Sequence, residues 1–321
     1  MEKSARKRRA NPFLAFLLFA LSMTAAVFLF LKCYEYYEAD KNFVPKPVIA
    51  ASIGESAGSE SAGLTLFSTN AILFDPDNGD IIYTKDAYEV IYPASLTKIM
   101  TALIAVENIE DLDATFKLQY ADYKGLYEQN AAMAGFALGE EVTARDLLYA
   151  TLLPSGAEAA TAIARIAAGS VEDCVALMNE RAVELGMKDT HFVNVTGLHD
   201  DDHYTTVYDL SLLLQEAITH PDFFEPYCTL TYTTTATPQH PQGLNLTSTL
   251  VPRLKQLERE KAPIIGNKTG YTDEAQLCLA SVAESKDTRR ALVTVGAEGD
   301  GKSYPTQLAD AYLLYQKALP D

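Results

Sequence analysis

The sequence predicts an α+β fold: one antiparallel sheet covered by helices, a helical lobe beside it, and a single transmembrane helix ahead of both. Three observations lead to that class. Strand-like segments stand at both ends of the region beginning at Leu64, apolar residues at helical spacing fill its middle, and an uncharged apolar run precedes it. Joining the terminal strands into one sheet with helices packed on it buries both sets of apolar faces most simply.

Lys3, Arg6, Lys7, Arg8 and Arg9 crowd the first ten residues of a chain whose formal net charge is −17. Pro12 to Leu31 then carries no charge and is almost wholly apolar, close to the roughly 20 residues that cross a bilayer as a helix. Basic residues on its N-terminal side keep that end in the cytoplasm and send the remainder outward. The stretch Lys32-Cys33-Tyr34-Glu35 offers no small-x-small cleavage site, and Leu31 and Lys32 are unlike the small residues that precede a lipidated cysteine. The helix is therefore expected to stay as an anchor. Pro45, Pro47 and a run rich in Gly, Ser and Ala make the next segment a linker. The expected organisation is a cytoplasmic tail at 1–11, a transmembrane anchor at 12–31, a linker at 32–63 and a folded domain at 64–321. That domain would lie outside the cytoplasm, held at the cell membrane by one span. So acidic a body argues against nucleic acid as a partner.

Within the domain, Ala71 to Phe74 and Ile81 to Tyr83 read as a hairpin around the turn Asp75-Pro76-Asp77-Asn78-Gly79-Asp80. Ile99, Met100, Leu103, Ile104 and Val106 recur at helical spacing, so a buried helix begins near Ser95. Three more helices follow: Thr143 to Leu153 with Thr143 as its cap, Ala157 to Ala168, and Val171 to Leu185 ending at Gly186. Leu277 to Val282 and Ala291 to Val295 return as strands around a polar turn, and a last helix runs from about Tyr304 to Ala318. Cys33, Cys174, Cys228 and Cys278 form no C-x-x-C pair and read as small buried hydrophobes.

Chemistry enters at Ser95-Leu96-Thr97-Lys98. Positions three apart share a helix face, so the Ser95 hydroxyl and the Lys98 amine would lie together at a helix N-terminus. A neutral lysine there is a base for a serine nucleophile, and the helix start aims N–H groups at developing negative charge. The pattern alone is short: Ser4-Ala5-Arg6-Lys7 matches it too, and a capping serine beside an exposed lysine is the plainer account. Two further segments add weight. Pro154-Ser155-Gly156-Ala157-Glu158 joins two helices of the lobe, and Gly266-Asn267-Lys268-Thr269-Gly270-Tyr271 leads into the late strand pair.

The order S-x-x-K, serine loop, K-T-G is the signature of penicillin-binding proteins and class A β-lactamases. With Asn194-Val195-Thr196-Gly197-Leu198-His199, His203-Tyr204-Thr205-Thr206 and the run Lys268 to Ala275, the chain from about Leu64 onward resembles the low-molecular-weight penicillin-binding proteins. Those act as serine-type D-alanyl-D-alanine carboxypeptidases. The resemblance implies a β-lactamase/transpeptidase-like fold and makes 64–321 a peptidase domain. It implies that Ser95 attacks the carbonyl between two terminal D-alanines, that Lys98 takes its proton, and that Ser155 relays a proton to the departing D-alanine. Lys268, Thr269, Gly270 and Tyr271 would bind substrate: Lys268 lends charge, Thr269 meets the terminal carboxylate, and N–H groups of Ser95 and Tyr271 form an oxyanion hole. Partners would be peptidoglycan peptides, with β-lactams as covalent inhibitors; no cofactor is implied.

The match has gaps. The family's serine loop reads S-x-N, whereas Ala157 stands at the third position, a loss of hydrogen bonding on the order of 1–3 kcal/mol. Relatives often carry a carboxylate-binding arginine after the last strand, where the segment Gly296 to Ser303 has only Lys302. They also often carry a C-terminal anchor, whereas the anchor expected here is N-terminal. His199-Asp200-Asp201-Asp202-His203 has the composition of a metal cluster but falls on a family segment without metal, so none is expected. Two readings compete with carboxypeptidase: a D,D-endopeptidase cutting cross-links by the same chemistry, and a catalytically weak protein that binds wall peptides. A β-lactamase is disfavoured because no E-x-x-L-N segment follows Ser155.

Overall fold

The structure, a computed structural model, describes residues 64–254, 264–299 and 305–320. The expected tail, anchor and linker lie outside the described residues, and among those described no helix is long and apolar enough to cross a membrane. The strands are β1 (Asn70–Phe74), β2 (Ile81–Lys85), β3 (Thr115–Lys117), β4 (Glu141–Thr143), β5 (Thr231–Thr233), β6 (Asn245–Thr247), β7 (Ile264–Thr272), β8 (Gln276–Ser285) and β9 (Thr288–Ala297). The helices are α1 (Thr97–Asn108), α2 (Ala144–Leu152), α3 (Ala157–Ala168), α4 (Val171–Leu185), α5 (Val207–Ala217), α6 (Pro221–Cys228), α7 (Leu250–Leu254) and α8 (Thr306–Ala318).

Strands from the start and the end of the folded region meet in one antiparallel sheet of order β2-β1-β9-β8-β7, as the sequence predicts. Strand alternation divides its side chains between two cores. Ile72, Phe74, Cys278, Ala280, Val282, Ala291, Val293 and Val295 face the larger one, with the lobe helices. Ala71, Leu73, Leu279, Ala283 and Leu292 face the smaller, closed by Leu308, Ala311, Leu314 and Tyr315 of α8. With both faces covered, the central strands are nearly continuous apolar runs. The Asp310 carboxylate fastens α8 to the start of the sheet by accepting from Phe67 N at 2.9 Å and from Ser68 N at 2.7 Å.

The lobe helices begin and end where their caps dictate. Thr143 Oγ1 accepts from Asp146 N at 3.0 Å while the Asp146 carboxylate accepts from Thr143 N, a capping box that fixes the start of α2. Ser170 caps α4 by accepting from Asp173 N, and Gly186 ends it in the left-handed region at φ +79. In α3 the buried Ala159, Ala160, Ala162 and Ala164 have no bulk to hold neighbours away, which lets α1, α2 and α4 close around it.

Two features depart from the sequence reading. Helices α5, α6 and α7 and the ribbons β3–β4 and β5–β6 were not anticipated. The K-T-G triplet does not precede the late strands but lies inside one: β7 is the edge strand, with Lys268 opposite Ala280 and Thr269 opposite Leu279. Glycines and polar residues mask its alternation, although Asn267, Lys268 and Thr269 are all buried. Of the cysteines described, Cys174 and Cys278 are buried as free thiols and Cys228 is partly buried.

Candidate active site

Ser95 stands in a short 3-10 turn, Ala94–Leu96, that feeds into α1. It is half-buried, whereas Lys98, one turn on, is 2 % exposed. Lys98 Nζ lies 3.3 Å from Ser95 Oγ and donates to Thr196 O at 2.6 Å. Burial lowers the Lys98 pKa to about 7, against the opposing pull of the Glu158 carboxylate. Near neutrality a large share of the amine is thus unprotonated, with a lone pair beside the serine hydroxyl.

The turn is strained and buttressed. Ala94 holds φ +46, a conformation costly for a residue with a side chain. Gly197 presses on its carbonyl so closely that a Cβ at position 197 would lie 1.8 Å from Ala94 O. Asn194 Oδ1 accepts from Gly197 N at 2.7 Å and from Thr196 N at 3.1 Å, shaping the loop that carries Thr196 O to Lys98. His203 completes the support. Its Nδ1 accepts from Val193 N at 3.0 Å, which leaves Nε2 as the protonated nitrogen facing Thr97 Oγ1 at 2.7 Å. Thr97 Oγ1 in turn donates to Ala94 O at 2.9 Å. Burial lowers the His203 pKa to about 4, so the ring stays neutral in this role. The stretch with a metal-like composition therefore contributes a brace for the turn that carries Ser95. His199 instead packs edge-on against Tyr92.

A second serine and a second lysine meet across the cleft. Ser155, on the link between α2 and α3, adopts φ +64. Lys268 Nζ donates to Ser155 Oγ at 2.9 Å and to Thr269 O at 2.8 Å, with the side chain fully buried. Burial lowers the Lys268 pKa well below its ordinary value, and the charges of Lys98 and Arg253 push the same way. Gly156 permits the sharp link: a Cβ there would come 2.7 Å from Ala134 Cβ. Glu158 does not fill the place of the missing amide. Its Oε1 accepts from Ala134 N and Gly135 N at 2.8 Å each, and burial raises its pKa.

The cleft holds about 600 Å³ and is lined by Ser95, Lys98, Ser155, Thr269, Gly270 and Tyr271, with Lys268 behind Ser155. All seven residues singled out from the sequence thus come together. Strand β7 passes so near Ser95 that a Cβ on Gly270 would lie 3.1 Å from Ser95 N. Sequence reasoning missed Thr249, whose Oγ1 lies 2.6 Å from Thr269 Oγ1, and Arg253, which lines the same cleft from α7. Neither belongs to a motif; the one available signal was a lone arginine shortly ahead of K-T-G. Lys302, the cation considered after the last strand, lies outside the described residues. Away from the cleft, Glu107, Glu216 and His220 gather closely enough to hold a metal ion, but Arg181 already occupies them, 2.9 Å from Glu107 and 2.6 Å from Glu216.

Comparison with known proteins agrees with this geometry. The D-alanyl-D-alanine carboxypeptidase family matches residues 57–299. The D-alanyl-D-alanine carboxypeptidase DacF of Bacillus subtilis is 31% identical over 251 residues, covering 77% of this chain and 62% of its own length. A D-alanyl-D-alanine carboxypeptidase of Streptomyces sp. strain K15 is 29% identical over 271 residues, covering 82% and 90%. The crystal structure of the Streptomyces K15 DD-transpeptidase superposes with a TM-score of 0.71 at 28% identity, over 80% of this chain and 99% of that one. Two serine–lysine pairs brought to one cleft on this fold, with a family match over most of the length, place the chain in the D-alanyl-D-alanine carboxypeptidase family.

Proposed function

We propose that the chain is a serine D,D-carboxypeptidase that removes the terminal D-alanine from peptidoglycan stem peptides. The observation that carries this reading is the convergence of Ser95–Lys98 with Ser155–Lys268 around one cleft. Ser95 Oγ attacks the carbonyl carbon of the penultimate D-alanine as its proton passes to Lys98 Nζ. The resulting oxyanion sits by the N–H groups of Ser95 and Tyr271, each such donor worth roughly 3–4 kcal/mol in the transition state. The C–N bond breaks, the departing amine takes a proton by way of Ser155 Oγ, and Lys268 holds that hydroxyl in place. Water then cleaves the acyl-enzyme and frees Ser95. The amide of a β-lactam ring meets the same nucleophile, so these compounds acylate Ser95. Release of cross-links is the same chemistry on a longer leaving group, and no residue of the cleft favours it over carboxypeptidase action.

The charge and hydropathy of residues 1–31 support placing this domain outside the cytoplasm, tethered by a helix at 12–31. The test is intact-mass measurement after incubation with benzylpenicillin, followed by peptide mapping, beside assays of D-alanine release from a pentapeptide and of cleavage of a cross-linked dimer into its two peptides. Expected are one adduct on Ser95, none in Ser95→Ala, and faster release from the pentapeptide. An adduct on another residue, or no D-alanine release, would overturn the reading.

A further inference from the structure

We propose that Glu158 is a positioning residue for the acyl-transfer step, the counter-charge that steadies Lys98 once it holds the proton of Ser95. This rests on the serine–lysine chemistry proposed above and adds a residue that acts through Lys98. Glu158 stands in the first turn of α3, next to the cleft-lining Ala157, and α3 packs directly on α1, which carries Lys98. Its side chain is fully buried. Oε1 accepts from Ala134 N and Gly135 N at 2.8 Å each. Oε2 is closed off from solvent and has no hydrogen-bond partner among the described residues. A carboxylate buried with one oxygen unbonded is destabilising unless a cation lies within reach of its field. Lys98 is such a cation when protonated. It is buried too, and its hydrogen bonds go to neutral oxygens, Thr196 O at 2.6 Å and Ser95 Oγ at 3.3 Å.

The charges around the pair leave that role to Glu158. On the Lys98 side, Lys268 of β7 is a like charge: burial first, and then the charge of Lys98, pushes its pKa down. On the other side, Asp122 is paired with Arg165 at 2.8 Å and Glu140 with His240 at 2.8 Å, while Tyr123 is pushed up by burial and then by Glu158 itself. Burial lowers the Lys98 pKa to about 7, and the charge that opposes it comes from Glu158. Burial raises the pKa of Glu158, and the N–H groups of Gly135 and Ala134 pull it back toward the charged form. In the attack, the Ser95 O–H bond breaks and an N–H bond forms on Lys98 Nζ. Oγ bonds to the carbonyl carbon, and the π pair of that carbonyl moves to its oxygen. An ammonium thus appears in a dry site. A carboxylate already fixed by two backbone donors stabilises it without reorganising. The same two hydrogen bonds hold the segment that follows Ala131 and Ala132 of the cleft wall.

The test is the second-order rate of benzylpenicillin acylation against pH for the full chain, for Glu158→Gln and for Glu158→Asp, each normalised to folded protein. Gln keeps an oxygen for Ala134 N and Gly135 N and removes the charge; Asp keeps the charge on a shorter arm. In Glu158→Gln the plateau at high pH is expected to fall roughly 3- to 10-fold, because Lys98 is a weaker base without its counter-charge. Its midpoint, at about 7 in the wild type, moves to lower pH, so the two curves draw together on the acid side. In Glu158→Asp the midpoint stays near the wild-type value, whatever the plateau does. A plateau that falls in Glu158→Gln with no movement of the midpoint makes Glu158 a purely structural residue and overturns the proposal, as does an equal movement in Asp and Gln. Should the Gln variant not fold, Glu158→Asp decides alone: a midpoint near the wild type supports the proposal, and one moved to lower pH overturns it. Urea unfolding at pH 6 gives a readout free of activity, comparing the cost of Glu158→Asp and Glu158→Gln in the wild type and in a Lys98→Met background. The Gln change is expected to cost less once Lys98 is gone, and an equal cost in both backgrounds overturns the proposal. If the wild-type chain forms no adduct while that difference persists, the Glu158–Lys98 pairing stands and the serine–lysine reading falls.

Discussion

Lys268 Nζ and Ser155 Oγ are 2.9 Å apart although the residues are separated by 113 positions, so the edge strand and the lobe are tied together at the site itself. Replacing Lys268 by Met keeps the apolar bulk and removes the donor, leaving Ser155 Oγ unanchored. Acylation by benzylpenicillin is expected to slow by about 100-fold or more, the scale of losing one positioned hydrogen-bond donor in a dry site. Stability should change little, since an amine held there at a desolvation cost is exchanged for an apolar group. Stopped-flow acylation with urea unfolding separates the two; an unchanged acylation rate would remove Lys268 from the mechanism.

Acylation should rise with pH and level off above about 7, because only the neutral Lys98 amine accepts the serine proton and burial has brought its pKa to about 7. The same shift acts on stability. Between about 7 and the ordinary value of 10.5 the unfolded chain holds more protons at this residue than the folded one, so its contribution makes the protein more stable as pH rises through that window. The second-order rate of penicillin acylation from pH 5 to 9 reads the first effect, and urea midpoints at pH 7 and 9 read the second. A rate independent of pH across neutrality would exclude Lys98 as the base.

How much of this was visible in the sequence varies by element. Helices α3 and α4 were legible to the residue because glycines at positive φ, Gly169 and Gly186, follow both and Ser170 caps the start of the second. Strand β7 was not, since Gly266, Lys268 and Gly270 occupy positions where a strand ordinarily shows apolar alternation; close approach to Tyr227 and Ser95 requires glycine at two of them. Ser95, Lys98, Ser155 and Lys268 were legible through motif order, but their contacts are products of the fold. His203 and Arg253 illustrate the remainder. Whether a histidine braces a turn, or a buried arginine nitrogen goes without an acceptor among the described residues, depends on neighbours 106 residues away, as Thr97 is from His203, or on a cleft that no local pattern encodes.

Ala157 opens α3 on the floor of the cleft, 2 % exposed, where the family's motif carries an asparagine. Introducing that amide by Ala157→Asn adds a group that can donate to a bound peptide and accept from Lys98. One net hydrogen bond is worth about 1 kcal/mol, so acylation is expected to quicken by roughly 2- to 10-fold. Glu158, already engaged with Ala134 and Gly135, does not compete for the new amide. A slower variant that melts at the wild-type temperature would mean that this cleft is built for alanine, with the substrate's backbone held by other groups.

Gly197 and Gly169 both hold positive φ, +77 and +89, but only the first has a neighbour in the way. A Cβ at 169 meets nothing within 4 Å, so Gly169→Ala carries backbone strain alone, about 1 kcal/mol. A Cβ at 197 would drive into Ala94 O, and Ala94 precedes the nucleophile. Relief requires the 194–198 loop or the turn bearing Ser95 to move, and either movement separates Thr196 O from Lys98. Gly197→Ala is therefore expected to cost at least roughly 2–3 kcal/mol in stability and to lower acylation at least about 10-fold in the fraction that remains folded. Gly169→Ala, likewise at positive φ but remote from the cleft, should acylate at the wild-type rate. Denaturation curves with acylation rates normalised to folded protein test the pair, and equal activities would show that the fit between Gly197 and Ala94 plays no part in aiming Ser95.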